Sequence, residues 1–156
     1  MKCVILAAGY ATRLYPLTEN FPKPLLEVAD KPILDWLIDD MAQTGKIDEY
    51  IVISNHKFAH IFEDWKKNLQ YSKPITVVDD GTETNETRLG AVCDLLYAME
   101  KLNIDDDMLV VAADNLLFFS FQEFVDFAKA KGTSCIMCHE QPSIEKLQRT
   151  GVVELD

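Results

Sequence analysis

The sequence predicts an α/β fold, a mostly parallel sheet with helices on both faces. Short apolar runs alternate with amphipathic segments four times along the chain, the pattern of successive strand–helix–strand units. The first run, Cys3–Leu6, is apolar without interruption, as expected of a strand covered on both sides. The segments between the runs space their apolar residues for a helix. Crossovers in such a sheet are right-handed almost without exception, and its ligands bind beyond the carboxyl ends of the strands. The residues that follow the first, third and fourth strands therefore matter most.

Each element has its own signal. Cys3–Leu6 is the first strand. Ile33, Leu34, Leu37, Ile38 and Met41 form a helical stripe, with Pro32 at its start and Gly45 just past its end, the favoured asymmetry of helix termini. Tyr50–Ile53 is the second strand, and Phe58, Ile61, Phe62, Trp65 and Leu69 mark the next helix. Ile75–Val78 is the third strand. Leu89, Val92, Leu95, Leu96, Met99 and Leu102 mark the third helix, and Met108–Ala112 the fourth strand. Ser120-Phe-Gln-Glu123 is a capping box that opens a helix ended by Gly132. Thr133–Cys138 is expected as a fifth strand, Ser143–Gln148 as a short helix and Val152–Leu155 as a last strand.

Composition narrows the functional classes. With 156 residues, 48% hydrophobic and 26% charged, the chain has the length of one domain, and no repeat or linker divides it. No apolar run approaches the roughly 18 residues of a membrane helix. The net charge of −11 disfavours nonspecific nucleic-acid binding, which needs clustered Lys and Arg. Residues 1–31 nevertheless hold Lys2, Arg13, Lys23 and Lys31 against Glu19, Glu27 and Asp30, so the other residues carry −12. An anionic ligand is expected at this N-terminal part. The start Met-Lys-Cys-Val-Ile-Leu-Ala-Ala-Gly is too short in its apolar core for a signal peptide. We therefore expect a cytoplasmic protein whose four cysteines are thiols.

The chemistry concentrates after the first strand, in Ala7-Ala8-Gly9-Tyr10-Ala11-Thr12-Arg13. Small residues let a backbone approach a ligand, and successive N–H groups cradle phosphate oxygens. Arg13 adds a fork of donors suited to phosphate. Pro22 and Pro24 stiffen the chain around Lys23. On these grounds alone, an ordinary strand-to-loop turn with solvated charges weighs equally. Asp114 follows the apolar run Leu109–Ala113, so it belongs at the carboxyl end of a strand, where it would hold magnesium or cap a turn.

The longer pattern decides between these readings. Leu6-Ala-Ala-Gly-Tyr-Ala-Thr-Arg-Leu-Tyr-Pro-Leu-Thr18, then Pro22-Lys-Pro-Leu-Leu26, then Lys31-Pro-Ile-Leu34 strongly resembles the sugar nucleotidyltransferase family, the nucleoside-diphosphate-sugar pyrophosphorylases. The likeness returns at Val110-Val-Ala-Ala-Asp-Asn115 and at Gly151-Val-Val-Glu-Leu155 and spans essentially the whole chain. It implies a Rossmann-like three-layer α/β sandwich. It also implies transfer of a nucleoside monophosphate from a nucleoside triphosphate to a sugar 1-phosphate, with release of pyrophosphate. Leu6, Ala7, Ala8, Gly9, Ala11 and Thr12 would line the nucleotide, Arg13 would neutralise the β- and γ-phosphates, and Lys23 would contact the reacting phosphates. Asp114 would hold Mg2+, and Gly90 would mark the base-binding turn.

Two departures stand out. The family has Gly where this chain has Ala11, so Ala11 is expected at φ < 0, where a β-carbon is tolerated. In the loop Asp79–Gly90, Thr87 and Arg88 replace the usual small pair, with Thr84 or Thr87 as the expected helix cap, which leaves the base open. The resemblance further implies a Glu-Lys-Pro segment and a second metal-binding aspartate beyond Asp156. Residues 1–156 would then be the nucleotide-binding part, without the C-terminal sugar-binding part, and would bind nucleotide but turn over little. Two alternatives stay open: a cytidylyltransferase acting on a phosphorylated alcohol such as phosphocholine, and a non-catalytic nucleotide- or sugar-sensing domain. A homo-oligomer is compatible with each.

Other signals are set aside. Cys135-Ile-Met-Cys138-His139 spells the c-type haem attachment string but falls in an expected strand, where residues three apart face opposite ways. Cys3, Cys93, Cys135 and Cys138 are expected as small core residues. His56 is expected in a turn and His60 on a solvated face. Asp39-Asp40 and Asp105–Asp107 are expected at the surface, and the Phe118–Phe127 cluster in the core.

Overall fold

The computed structural model describes residues 1–117, 119–148 and 151–153. They form two compact units, Met1–Gln122 and Glu123–Asp156. The first unit contains β1 (Lys2–Leu6), β2 (Glu27–Val28), β3 (Lys31–Pro32), α1 (Ile33–Ala42), β4 (Glu49–Ser54), α2 (His56–Lys67), β5 (Ile75–Asp79), α3 (Ala91–Leu102) and β6 (Met108–Ala112). α4 (Phe121–Lys131) crosses the boundary, and α5 (Ile144–Leu147) lies in the second unit. Single 3-10 turns occupy Thr12–Leu14 and Lys23–Leu25.

Four strands form one sheet in the order β5-β4-β1-β6, every pair parallel. This is the α/β fold that the sequence predicts. β1 lies at the centre with Cys3, Val4 and Ile5 fully buried, which explains its unbroken apolar run. Neighbouring side chains point to opposite faces. Val4, Ile51, Ile53 and Val78 pack with Ala98 of α3. Cys3 turns the other way, its thiol 3.3 Å from the Met41 sulfur of α1. α2 joins α1 through Trp65 Nε1, which donates to Asp35 at 2.8 Å. The result is three layers: α1 with α2, the sheet, and α3.

Local chemistry fixes the helix ends. Pro32 precedes α1, where a missing N–H costs nothing. The Asn55 side chain caps α2 by accepting from Phe58 N at 3.0 Å, and Phe58 and Phe62 bury the next turns. α5 is capped by the Ser143 hydroxyl. The pair β2–β3 is a two-residue antiparallel ribbon whose turn, Ala29-Asp30, takes positive φ.

Several expectations are corrected. Thr133–Cys138 forms no strand, because strand propensity needs a neighbouring strand to satisfy its backbone and no described strand pairs with it. Val152 and Val153 are likewise outside any strand, and the rest of that expected strand, together with Phe118, lies outside the described residues. Only Cys3 is a core cysteine: Cys93 and Cys138 are exposed and Cys135 half-buried, all free thiols. Of the phenylalanine cluster, Phe121 is buried and Phe127 exposed. The third helix starts at Ala91, after Leu89. Its expected apolar stripe is only partly its inner face: Leu95 packs against the core with Ala98, whereas Val92 and Leu96 are exposed and Asp94 is buried. No helix among the described residues is long and apolar enough to cross a membrane.

The core carries the stability. Phe62→Ala removes a fully buried ring and is expected to cost about 3–5 kcal/mol. Val92→Ala, at a site 72% exposed, is expected to stay within about 0.5 kcal/mol. Urea unfolding of both variants checks the contrast.

Candidate active site

The site lies at the carboxyl edge of the sheet. Leu6 stands opposite Ile53 and Ala112, and Ser54 opposite Asp79. The pairing continues one residue further: Ala7 N donates to Ile53 O at 2.8 Å, Asp80 N to Ser54 O at 2.9 Å and Ala113 N to Leu6 O at 3.0 Å. Four chain segments therefore leave the sheet at one level, as the rule for parallel sheets requires of a ligand site.

The loop after β1 is held from below. Ala7 and Ala8 are buried, and Asn55 Nδ2 donates to Ala8 O at 3.0 Å while its Oδ1 caps α2. Tyr10 is buried and its hydroxyl donates to Thr82 O at 2.9 Å. Between these anchors Gly9 is exposed, and a β-carbon there would meet no atom within 4 Å. Its φ lies outside the left-handed region, so neither packing nor backbone strain demands glycine. Next, Thr12 and Arg13 stand on an exposed 3-10 turn, and Arg13 makes no ion pair with a described residue.

Ala11 departs from expectation. It takes the left-handed conformation, φ 46° and ψ 39°, where a β-carbon costs about 1–2 kcal/mol. Its carbonyl accepts from Leu14 N at 2.9 Å and from Thr18 Oγ1 at 2.8 Å, and Thr18 is fully buried. These two bonds, with the tie of Tyr10 next door, impose the conformation despite the side chain. The loop after β1 thus keeps a glycine-type turn with an alanine in it.

Lys23 and Asp114, 91 residues apart, meet here with Nζ 3.0 Å from Oδ2. Lys23 sits on the turn after Pro22, with Pro24 buried. Asp114 follows β6, and its Oδ1 accepts from Asn115 Nδ2 at 2.8 Å. The Lys23 and Asp114 side chains are 28% and 47% exposed, so both are accessible to a ligand. Among the described residues no group of three or more His, Cys, Asp or Glu side chains is arranged to hold a metal. Asp114 therefore offers a single carboxylate.

The loop after β5 closes the other side. Asp79 accepts from Gly81 N at 2.8 Å and lies 2.6 Å from His56 Nδ1. That bond holds the exposed imidazole above its usual pKa and, against burial, keeps the Asp79 carboxyl below its own. His56 thus opens α2 rather than lying in a turn. Thr84 and Thr87 bond each other and cap nothing. Gly90 precedes α3 instead, at φ 86° and ψ 158°, a region essentially confined to glycine. Gly90 is thus explained by its backbone alone. Sequence reasoning missed Asn55, which reads as a plain helix cap, and Tyr10, whose partner lies 72 residues away.

Comparison with known proteins agrees with this geometry. The family described as "Nucleotidyl transferase" matches residues 2–156. A putative mannose-1-phosphate guanyltransferase of Sulfolobus acidocaldarius is 31% identical over the whole chain, which covers 41% of that protein. The mannose-1-phosphate guanyltransferase of Saccharomyces cerevisiae is 34% identical over 92% of the chain and 39% of its own length. A solved UDP-glucose pyrophosphorylase shares the fold, with a TM-score of 0.66 at 18% identity over 84% of this chain and 54% of that one. The CTP:phosphocholine cytidylyltransferase of Streptococcus pneumoniae has a TM-score of 0.57 at 32% identity, over 77% of this chain and 47% of that one. The chain spans about two-fifths of the length of the curated relatives it matches.

Replacing Ala11 by glycine removes the β-carbon from a left-handed position, so Ala11→Gly is expected to raise stability by up to about 1 kcal/mol. A rise in the thermal midpoint checks this, and Asn55→Ala, which removes a cap and the Ala8 tie, is expected to lower it.

Proposed function

This chain belongs to the nucleotidyl transferase family, and from that premise we propose that it forms the nucleotide-binding part of a sugar-phosphate nucleotidyltransferase. The substrates are a nucleoside triphosphate and a sugar 1-phosphate. The observation that carries the reading is the meeting of Lys23 and Asp114 beside the loop Ala7–Arg13 at the carboxyl edge of the sheet. Gly9 supports it, because an exposed glycine without a structural need is suited to the close approach of a ligand.

The chemistry follows from these groups. A sugar-phosphate oxygen attacks the α-phosphorus in line, forming a new P–O bond as the bond to the β-phosphate oxygen breaks and pyrophosphate leaves. Such transfers depend on positioning and charge neutralisation more than on covalent help. Backbone N–H groups of residues 8–12 line the phosphates, Arg13 balances the departing charge, and Lys23 places its ammonium at the reacting centre. Asp114 fits magnesium: it is a hard oxygen donor with lone pairs left after its bonds to Lys23 and Asn115. A bound Mg2+ would add Lewis-acid neutralisation of the phosphates.

A second reading keeps the nucleotide site and changes the acceptor. It is favoured by the 32% identity with the phosphocholine cytidylyltransferase. Calorimetric titration with GTP, UTP, CTP and TTP, each with magnesium, separates the two: a preference for CTP favours the cytidylyltransferase reading, and a preference for another triphosphate the sugar reading.

Binding tests the site directly. A magnesium–triphosphate is expected to raise the thermal midpoint. Gly9→Ala is expected to fold as well as the parent and to bind the nucleotide less tightly. Arg13→Ala is expected to weaken binding about 10–100-fold, the loss of one or two charge-assisted bonds. Asp114→Asn is expected to abolish the gain that magnesium gives. No thermal shift with any of the four triphosphates at millimolar concentration overturns the proposal.

A further inference from the structure

We propose that Asp80 and Asp94 share one proton, and that this acid–acid bond is a latch positioning the loop after β5 and, through Thr82 and Tyr10, the loop Ala7–Arg13. The first half concerns the fold alone. The second deepens the nucleotide-binding reading above and rests on it.

The geometry points there in three steps. Asp80 leaves the end of β5 and Asp94 lies in the first turn of α3, and they are 7% and 5% exposed. Asp80 is the charged neighbour and hydrogen-bonding group that acts on the Asp94 carboxyl. Asp80 Oδ1 is fully used, accepting from Thr82 N at 2.7 Å and Thr82 Oγ1 at 2.8 Å. Asp80 Oδ2 and Asp94 Oδ1 are buried and have no hydrogen-bond partner. Two facing carboxylates cannot both ionise out of water without a cation, and a buried polar atom left unpaired is costly. One proton between the two carboxyls gives this buried pair the donor it lacks.

The charged surroundings leave this pair on its own. From the same loop, Asp79 is met by the His56 imidazole of α2, and its carbonyl by the Lys101 ammonium of α3. Glu83 and Glu86 add negative charge around Tyr10 from the loop after β5. The charge acting on Asp94 is that of Asp80. Burial first, then this like charge and the bond to it, push the Asp94 acid up from 3.8 to about 6.

The latch reaches the nucleotide loop through Thr82. Asp80 fixes Thr82, and the Thr82 carbonyl accepts from both Tyr10 Oη and His56 N at 2.9 Å. Tyr10 lies between Gly9 and Ala11. Loss of the proton sets two like charges against each other beneath that turn, so Tyr10 loses a firm acceptor.

The sign follows from linkage. An acid whose pKa is raised in the fold stabilises it while protonated, and that contribution is lost as pH rises through the folded value. The test is urea unfolding at pH 5 and pH 7.5 of His56→Gln and of His56→Gln/Asp94→Asn. The first change removes the neighbouring titrating imidazole. In the second, the asparagine amide donates to Asp80 without a proton to lose. The ratio of folding constants, His56→Gln over the double variant, is expected to fall about tenfold between the two pH values. Asp80→Asn exchanges the roles, keeping Oδ1 for Thr82, and replaces Asp94→Asn if that variant does not fold.

A pH-independent ratio overturns the shared proton. So does stabilisation of the parent, but not of the Asp94→Asn variant, by calcium or magnesium alone, which would make the pair a cation site. Affinity for the magnesium complex of whichever of GTP, UTP, CTP and TTP gives the largest thermal shift is measured in the same series. It is expected to weaken as pH rises in His56→Gln and to hold steady in the double variant. A stability ratio that falls while affinity follows the same pH course in both proteins overturns the positioning half. Absence of nucleotide binding in every protein overturns the proposed function, while the unfolding ratio still decides the shared proton.

Discussion

The site depends on the in-register ending of four parallel strands, and one buried amide makes that ending usable. A parallel sheet aims its last carbonyl and amide groups at one edge. There, Leu6 and Ala112 stand level with Ile53 and Val78, one residue before the ends of β4 and β5 at Ser54 and Asp79. Asn55 then uses both ends of its side chain, Nδ2 on the Ala8 carbonyl and Oδ1 on the α2 terminus. With Asn55 buried, each of these bonds escapes competition from water. The first glycine-containing loop is thus tied to the second strand–helix connection, and the exposed residues Gly9 and Arg13 stand on a rigid base.

Electrostatics at this edge contributes little to stability. The chain is strongly acidic overall, yet Arg13 and Lys23 stand at the mouth of the site. The Lys23–Asp114 pair is exposed enough that its contribution to folding is about 0–1 kcal/mol. Such a pair costs little to open, which is what the proposed nucleotide site asks of it. The strained Ala11 fits the same logic: the turn is enforced by Thr18 and Tyr10, so the fold tolerates a side chain where the backbone favours glycine.

Much of the fold was legible because β1 and β4 are short apolar runs buried along most of their length, and α1 and α2 bury apolar residues at helical spacing. Thr133–Cys138 shows the limit. Its apolar, β-branched composition supplies propensity, but a strand exists only where a partner satisfies its backbone. α3 shows another limit, since its buried face holds Asp94 and Ala98 while Val92 and Leu96 of its apolar stripe lie in solvent. Arg13, Lys23 and Asp114 were singled out because a long ordered pattern joins them, and the fold brings Lys23 and Asp114 together. Asn55, Thr82 and the Asp80–Asp94 pair were not, because their roles arise from contacts between residues far apart in sequence. The conformation of Ala11 was misjudged for the same reason: the hydroxyl that holds it comes from Thr18.

The most direct test is to map the amide resonances that move when a magnesium–triphosphate is titrated into the labelled chain. The largest shifts are expected at Ala8, Gly9, Ala11, Thr12 and Arg13, with Lys23, Asn55, Gly81 and Asp114 following. Saturable shifts confined to the outer faces of α1 and α2, or none at all, would contradict a nucleotide site at the carboxyl edge of the sheet.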